Sequence, residues 1–228
     1  MALLIAIEGI DGSGKGTQAA LLCEHLLQQG RRVHLLSFPR YEQTRFGAAI
    51  GEFLNGRFGS LDAVHPKLAA LLFAGDRFES RNVILEAAAR SDVVIFDRYV
   101  ASNIAHQAAK LDEPERSELS SWIDSMEYVV YGLPRPDLTV LLDIPAGAAQ
   151  RLIAAKSKRT YTDRTADLQE ADGAYLERVR QVYRTLAEQD STWTRIDCMS
   201  DDVIRPVDSI SEELQSFVDE RIAHAPYR

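Results

Sequence analysis

The residues best suited to chemistry stand near the start of the chain. Gly9-Ile10-Asp11-Gly12-Ser13-Gly14-Lys15-Gly16-Thr17 follows an apolar run and precedes Gln18-Ala19-Ala20-Leu21-Leu22, which opens a helix. Strand, glycine loop and helix is the setting in which G-x-x-x-x-G-K binds phosphate. Glycines let successive backbone N–H groups turn inward into a concave anion nest, and the helix adds its unpaired N–H groups and dipole. Lys15 brings a mobile charge to the β- and γ-phosphates. The hydroxyl expected directly after the lysine, where it would hold Mg²⁺, is missing: Gly16 stands there, and Thr17 carries the hydroxyl one residue later.

A second group closes another apolar run. Ser91–Asp97 ends in a carboxylate and Arg98 follows at once. Asp97 there suits a metal contact beside a phosphate loop, and the planar fork of Arg98 suits bidentate phosphate binding. Phe73 and Arg77 are four residues apart on a helical stretch and share a face, where a ring and a guanidinium could stack a base and bond its edge. Helical aromatics more often belong to a core. Lys156–Arg164 carries Lys156, Lys158, Arg159 and Arg164 without periodicity. Such a run is either a solvated loop or a mobile lid. Phosphoryl transfer needs cations around the transferring group, and the loop offers only Lys15, which favours the lid.

The elements that must position these groups read as an alternating β/α pattern. Strands are expected at 2–8, 32–37, 91–97, 138–143 and 193–197. Helices are expected at about 14–29, 43–55, 64–90, through 110, 114–131, 146–155, 168–189 and 207–222. The pattern implies a parallel sheet with helices on both faces, whose ligands bind at the carboxyl ends of the strands. The phosphate loop, Phe38-Pro39-Arg40 and Asp97-Arg98 all fall at such ends. The length of 228 residues suits one domain. A net charge of -8 argues against nucleic acid as the main partner. Two cysteines, Cys23 and Cys198, lack metal spacing and read as reduced thiols of a cytoplasmic protein. No signal peptide or membrane span is expected.

Taken together, these residues resemble the thymidylate kinases across nearly the full chain. The resemblance is carried by Ile7–Lys15, Phe38-Pro39-Arg40-Tyr41, Phe73 with Asp76-Arg77, Asp97-Arg98-Tyr99-Val100-Ala101-Ser102-Asn103, Leu141-Leu142-Asp143-Ile144-Pro145 and Asp167-Leu168-Gln169-Glu170. It implies an α/β, P-loop NTPase-type five-stranded sheet with a short lid at about 156–166. It implies transfer of the ATP γ-phosphoryl group to dTMP with Mg²⁺, in a homodimer. By similarity, Gly9 to Thr17 and Arg151 serve ATP, with Arg151 against adenine. Asp11 contacts the acceptor 3′-hydroxyl, Phe73 stacks on thymine, Arg77 bonds its carbonyl, and Asn103 sits near base or sugar. Arg98, helped by Arg40 beside Phe38, grips the acceptor phosphate. Asp97 and Thr17 serve the metal, Asp167 and Glu170 face the acceptor, and Arg159 or Arg164 is the lid's catalytic arginine. Three positions depart from the family: Gly16; His106, where a tyrosine often screens the acceptor's 2′ position; and Gln169, aromatic in some relatives. Another (deoxy)nucleoside monophosphate kinase, and an ATP-binding regulatory protein, stand as alternatives.

Overall fold

The computed structural model describes residues 2–60, 63–155 and 172–224. Its sheet has five parallel strands, β1 (Leu3–Glu8), β2 (Val33–Ser37), β3 (Val93–Asp97), β4 (Leu138–Asp143) and β5 (Trp193–Asp197), in the order β2-β3-β1-β4-β5. The near-continuous apolar strands fit a parallel sheet covered on both faces. Alternation along them feeds two clusters. Ile5, Ile7, Val93 and Ile95 join the first with Leu22, Leu26, Leu214 and Val218. Leu4, Ala6, Val94 and Phe96 join the second with Ile84, Ala87, Leu119 and Ile123. Those partners come from α1 (Lys15–Gln28) and α9 (Val207–His224), and from α4 (Arg81–Arg90) and α6 (Glu115–Asp124).

Register brings the site together. Ile7 pairs with Asp97, and Asp97 with Ser37. Three strand ends therefore finish level, which puts the glycine loop, Phe38 and Arg98 on one edge. The Arg98 N–H donates to the Ile7 carbonyl (3.1 Å) and the Phe38 N–H to the Asp97 carbonyl (3.0 Å).

The remaining elements are α2 (Arg45–Leu54), α3 (Pro66–Glu79), α5 (Val100–Ala108), α7 (Ala146–Ala155) and α8 (Gly173–Gln189). Two expectations are corrected, and one element is new. The single helical span 64–90 breaks at Ser80, whose backbone turns to ψ -2° and whose buried hydroxyl accepts from Arg40. The span 114–131 is α-helical only to Asp124. It continues as a π-helical turn over Ser125–Val130, closed by the Tyr131 N–H on the Met126 carbonyl. The segment after β5 forms a two-stranded hairpin, β6 (Met199–Ser200) and β7 (Val203–Ile204). Among the described residues no helix is long and apolar enough to cross a membrane.

Candidate active site

The glycine loop has the shape of an anion cradle. Gly9, Gly12 and Gly14 hold φ of 146°, 83° and 91°, conformations that side chains disfavour. At Gly12 a Cβ would also meet the Ala149 carbonyl at 2.5 Å. α1 starts at Lys15 with Gly14 as its N-cap and no side-chain cap, so its first N–H groups remain available to an anion. Lys15 folds back onto the loop, its Nζ donating to the Ile10 carbonyl (2.8 Å) and the Ser13 hydroxyl (3.4 Å). Burial, with Arg98 adding to it, lowers its pKa to about 7 against the opposing pull of Asp11, Asp97 and Glu8. A phosphate dianion fits this cradle, because it replaces those internal acceptors and restores the lysine's charge.

Asp97 ends β3 beside the loop. A Cβ at Gly16 would lie 3.2 Å from its Oδ2, so the missing side chain leaves room around the carboxylate. The described residues hold no cluster of three metal-ligating side chains. Mg²⁺ characteristically takes one or two carboxylates and completes its shell with phosphates and water, which Asp97 with exposed Thr17 fits.

Next to the loop opens a cavity of about 380 Å³, lined among others by Asp11, Phe38, Phe73, Arg77, Asp97 and Arg98. Arg98 sits at φ 67°, is ion-paired to Asp11, and donates to the Ser102 hydroxyl (3.2 Å). Burial alone would lower its pKa. Asp11, Tyr183, Asp97 and Glu8 more than offset this and push it above the ordinary value. Beneath it lies Glu8, fully buried. Glu8 accepts from the Tyr99 N–H (2.7 Å), the Ser102 hydroxyl (2.6 Å) and the Tyr183 hydroxyl (2.9 Å).

Phe73 lies edge-on to Phe53 (6.4 Å) against a small cluster between α2 and α3, and also lines the cavity. Arg77 is not a free fork. Its Nε and Nη2 engage Glu127 of the π-helical turn in a buried pair. Glu127 also accepts from Asn103 Nδ2 (2.8 Å), which donates to the Ala70 carbonyl too (3.0 Å). These donations fix the Asn103 amide and leave its Oδ1 buried and without a hydrogen-bond partner among the described residues. Arg40 is tied to α3 through Asp76 and Ser80 and is not among the cavity-lining residues.

α5 presents Asn103, His106 and Gln107 to the cavity, and each carries one buried polar atom without a hydrogen-bond partner among the described residues. Gln107 was not legible as a site residue. The Lys110 ammonium donates to its Oε1 (2.9 Å), so the unpartnered Nε2 is a donor. Its only sequence signal is its spacing of four from Asn103, which puts those two on one helical face beside His106. Glu8 and Glu127 also went unread as members of the site.

A second cavity, about 280 Å³, lies on the other side of the loop, between Gly12 to Thr17 and the hairpin residues Ile204 and Arg205. Leu152 of α7 lines it, while Arg151 is exposed and does not. Arg159, Arg164, Asp167, Glu170 and the expected lid at about 156–166 lie outside the described residues.

A family model described as thymidylate kinase matches residues 7–204. The chain is 39% identical over 187 residues to a thymidylate kinase of Mycobacterium tuberculosis, covering 82% of this chain and 86% of the relative. It is 37% identical over 223 residues to one from Leifsonia xyli, covering 96% of each. The solved structure of thymidylate kinase from Candida albicans superposes with a TM-score of 0.71 at 25% identity, over 96% of this chain and 92% of that one.

Proposed function

The chain belongs to the thymidylate kinase family and phosphorylates dTMP with ATP as donor, and on that premise we propose how its residues divide the work. The observation that carries the division is the meeting of an anion cradle and a separate basic cavity at Asp11 and Arg98. One donor and one acceptor nucleotide then approach from opposite sides of the loop.

The donor phosphates take the loop N–H groups from Gly9 to Thr17 together with Lys15, and adenine takes the apolar cavity under the hairpin, with Arg151 at its edge. The acceptor phosphate takes Arg98, with Arg40 behind it. Thymine lies on Phe73, bonded by Asn103 Oδ1 and the remaining edge of Arg77. Asp11 receives the 3′-hydroxyl. An oxygen of the dTMP phosphate attacks the γ-phosphorus, the bond from that phosphorus to the β–γ bridging oxygen breaks, and its electron pair leaves on ADP. The attacking oxygen is already an anion, so no general base is required. Catalysis is alignment and charge neutralisation by Lys15, Arg98 and one lid arginine, Arg159 or Arg164. Mg²⁺, held by Asp97 and Thr17, would neutralise charge on the β- and γ-phosphates. Asp167 and Glu170 belong to the acceptor side. We read the chain as one cytoplasmic domain with a lid at about 156–166, working as a homodimer.

The test is ADP release from Mg-ATP with dTMP, dUMP, AMP, CMP, GMP and thymidine offered in turn. Acceleration by dTMP far above the rest is expected. Acceptor-independent hydrolysis, or a preference for AMP or thymidine, overturns the assignment.

A further inference from the structure

One buried carboxylate fixes the two side chains that face the base. Glu127 lies in the π-helical turn and is fully buried. Its Oε2 accepts from Arg77 Nε. Its Oε1 accepts from Arg77 Nη2 (2.7 Å) and from Asn103 Nδ2 (2.8 Å). Asn103 Nδ2 gives its second proton to the Ala70 carbonyl (3.0 Å).

Each contact sets what the cavity meets. A guanidinium carries N–H donors on every side and no acceptor. With Nε and Nη2 turned to Glu127, Nη1 is the end left to the acceptor cavity, which Arg77 lines. Burial alone would lower the Arg77 pKa, and Glu127, with Asp76 and Tyr99, more than offsets this, so the donor stays charged. Asn103 has the opposite polarity. A free amide can present either end, but Glu127 and the Ala70 carbonyl are both acceptors, so its nitrogen must face them. Its Oδ1 is then the end without a hydrogen-bond partner among the described residues, and Asn103 lines the same cavity. Arg77 thus offers a donor and Asn103 an acceptor. Thymine answers with an acceptor at O4 and a donor at N3. Cytosine has a donor at N4 and an acceptor at N3, the inverse at both places.

We propose that Glu127 is the positioning residue for base preference: by holding Arg77 and Asn103 in one polarity, it makes the acceptor site take a 4-oxo pyrimidine with a proton at N3 and reject a 4-amino one. Glu127 acts through those two side chains and needs no contact with the substrate. This rests on the reading that Arg77 and Asn103 face the base.

The experiment measures kcat/KM for dTMP and dCMP in the wild-type protein and in Glu127→Gln. The amide keeps the shape of the carboxylate but replaces one accepting oxygen with a donor. At the place of Oε2 that donor opposes Arg77 Nε; at the place of Oε1 it opposes Arg77 Nη2 and Asn103 Nδ2. Either way the two side chains are no longer held together. In wild type dTMP is expected about a thousandfold or more above dCMP, because a site built to bond one set of polar groups rejects its inverse. In Glu127→Gln the ratio should narrow by at least about tenfold, the effect of one buried polar mismatch. A loss of packing alone lowers both substrates together and leaves the ratio where it was. A folded Glu127→Gln that keeps the wild-type ratio overturns the proposal while leaving the base contacts standing. A wild type that turns over dCMP as well as dTMP overturns the reading of Arg77 and Asn103, and this proposal with it. A second measurement needs no variant: by NMR, the Arg77 Nε–H of the wild-type protein should resonate downfield of a free arginine and exchange slowly with water. Exchange at the rate of a free arginine shows that Glu127 does not hold it, and also overturns the proposal.

Discussion

Arg98 holds backbone that few side chains adopt, at φ 67°, and such strain persists where surrounding contacts over-determine it. The Tyr99 N–H and the Ser102 hydroxyl are both locked by Glu8, so the residue is held from the following turn of chain as well as by its own guanidinium. Arg98→Ala should lower kcat/KM for dTMP by about a hundredfold or more, as loss of a charged transition-state donor does, with little change in thermal stability. Steady-state kinetics beside a thermal melt checks this, and near-normal turnover would remove Arg98 from the reaction. Glu8→Gln keeps the volume but trades an acceptor oxygen for a donor facing the Ser102 and Tyr183 hydroxyls. A cost of about 1–3 kcal/mol should appear as a melting point lowered by about 3–10 °C, and an unchanged melt would contradict the network. The loop and Asp97-Arg98 were legible because their meaning lies in local spacing. Glu8 was not, because it closes an apolar strand and its donors stand about ninety and, for Tyr183, 175 positions away. Glu127, 50 positions from Arg77, was hidden for the same reason.

At the scale of elements, the acceptor cavity depends on how α3, α5 and the π-helical turn are clamped. Arg77, Glu127 and Asn103 form one buried network joining all three. Removing one partner of a buried pair strands the other charge and costs about 3–5 kcal/mol. Glu127→Leu should therefore lower the melting point by roughly 10 °C and raise KM for dTMP, while Arg77→Met with Glu127→Leu should recover part of the stability. A Glu127→Leu melt equal to wild type would show that the pair does not hold the fold. The sheet has its own pin at the opposite edge. Asp92, at the start of β3, accepts from the Arg32 N–H (2.8 Å) and pairs with its side chain ahead of β2. The side-chain and backbone bonds from Arg32 hold its pKa at about 2. A depressed carboxyl adds stability above its unfolded value near 3.8 and loses it as pH falls toward 2. Asp92→Asn should thus lower the urea midpoint slightly at pH 7, and the gap should narrow between pH 5 and pH 3. A gap that widens on acidification would overturn the linkage. Strand positions were legible from apolar runs bounded by turns, and the bounds of α1, α2, α7 and α9 came within two residues at each end. The break at Ser80 and the π-helical turn were not, since apolar spacing continues through both while buried polar partners redirect the backbone.

Across the whole molecule, the site gathers cations on a net-acidic chain: Lys15, Arg77 and Arg98 meet at one sheet edge although the formal charge is -8. Local carboxylates at Asp11, Asp97 and Glu127 keep that edge balanced until phosphate arrives. The same molecule leaves large apolar groups in water. Leu68 and Phe78 on α3 are 60% and 50% exposed, and Val129 and Val130 of the π-helical turn 72% and 66%. The Phe78 ring meets that of Tyr131, the residue that closes the π-helical turn, at 4.6 Å with a tilt of 39°, so part of this surface is a ridge built from two elements. These are the elements that carry Phe73, Arg77 and Glu127, and a second copy seated there would brace the acceptor cavity from outside. The proposed homodimer should give a solution mass of about 51 kDa, twice the 25.5 kDa chain. Like charges on the two copies make association stronger as salt rises through the physiological range. Phe78→Glu with Val129→Glu places carboxylates in that apolar contact and should shift the light-scattering mass to that of one chain. Association that persists in the double variant would move the interface off this ridge, and a monomeric wild-type protein at every salt concentration would remove the dimer altogether.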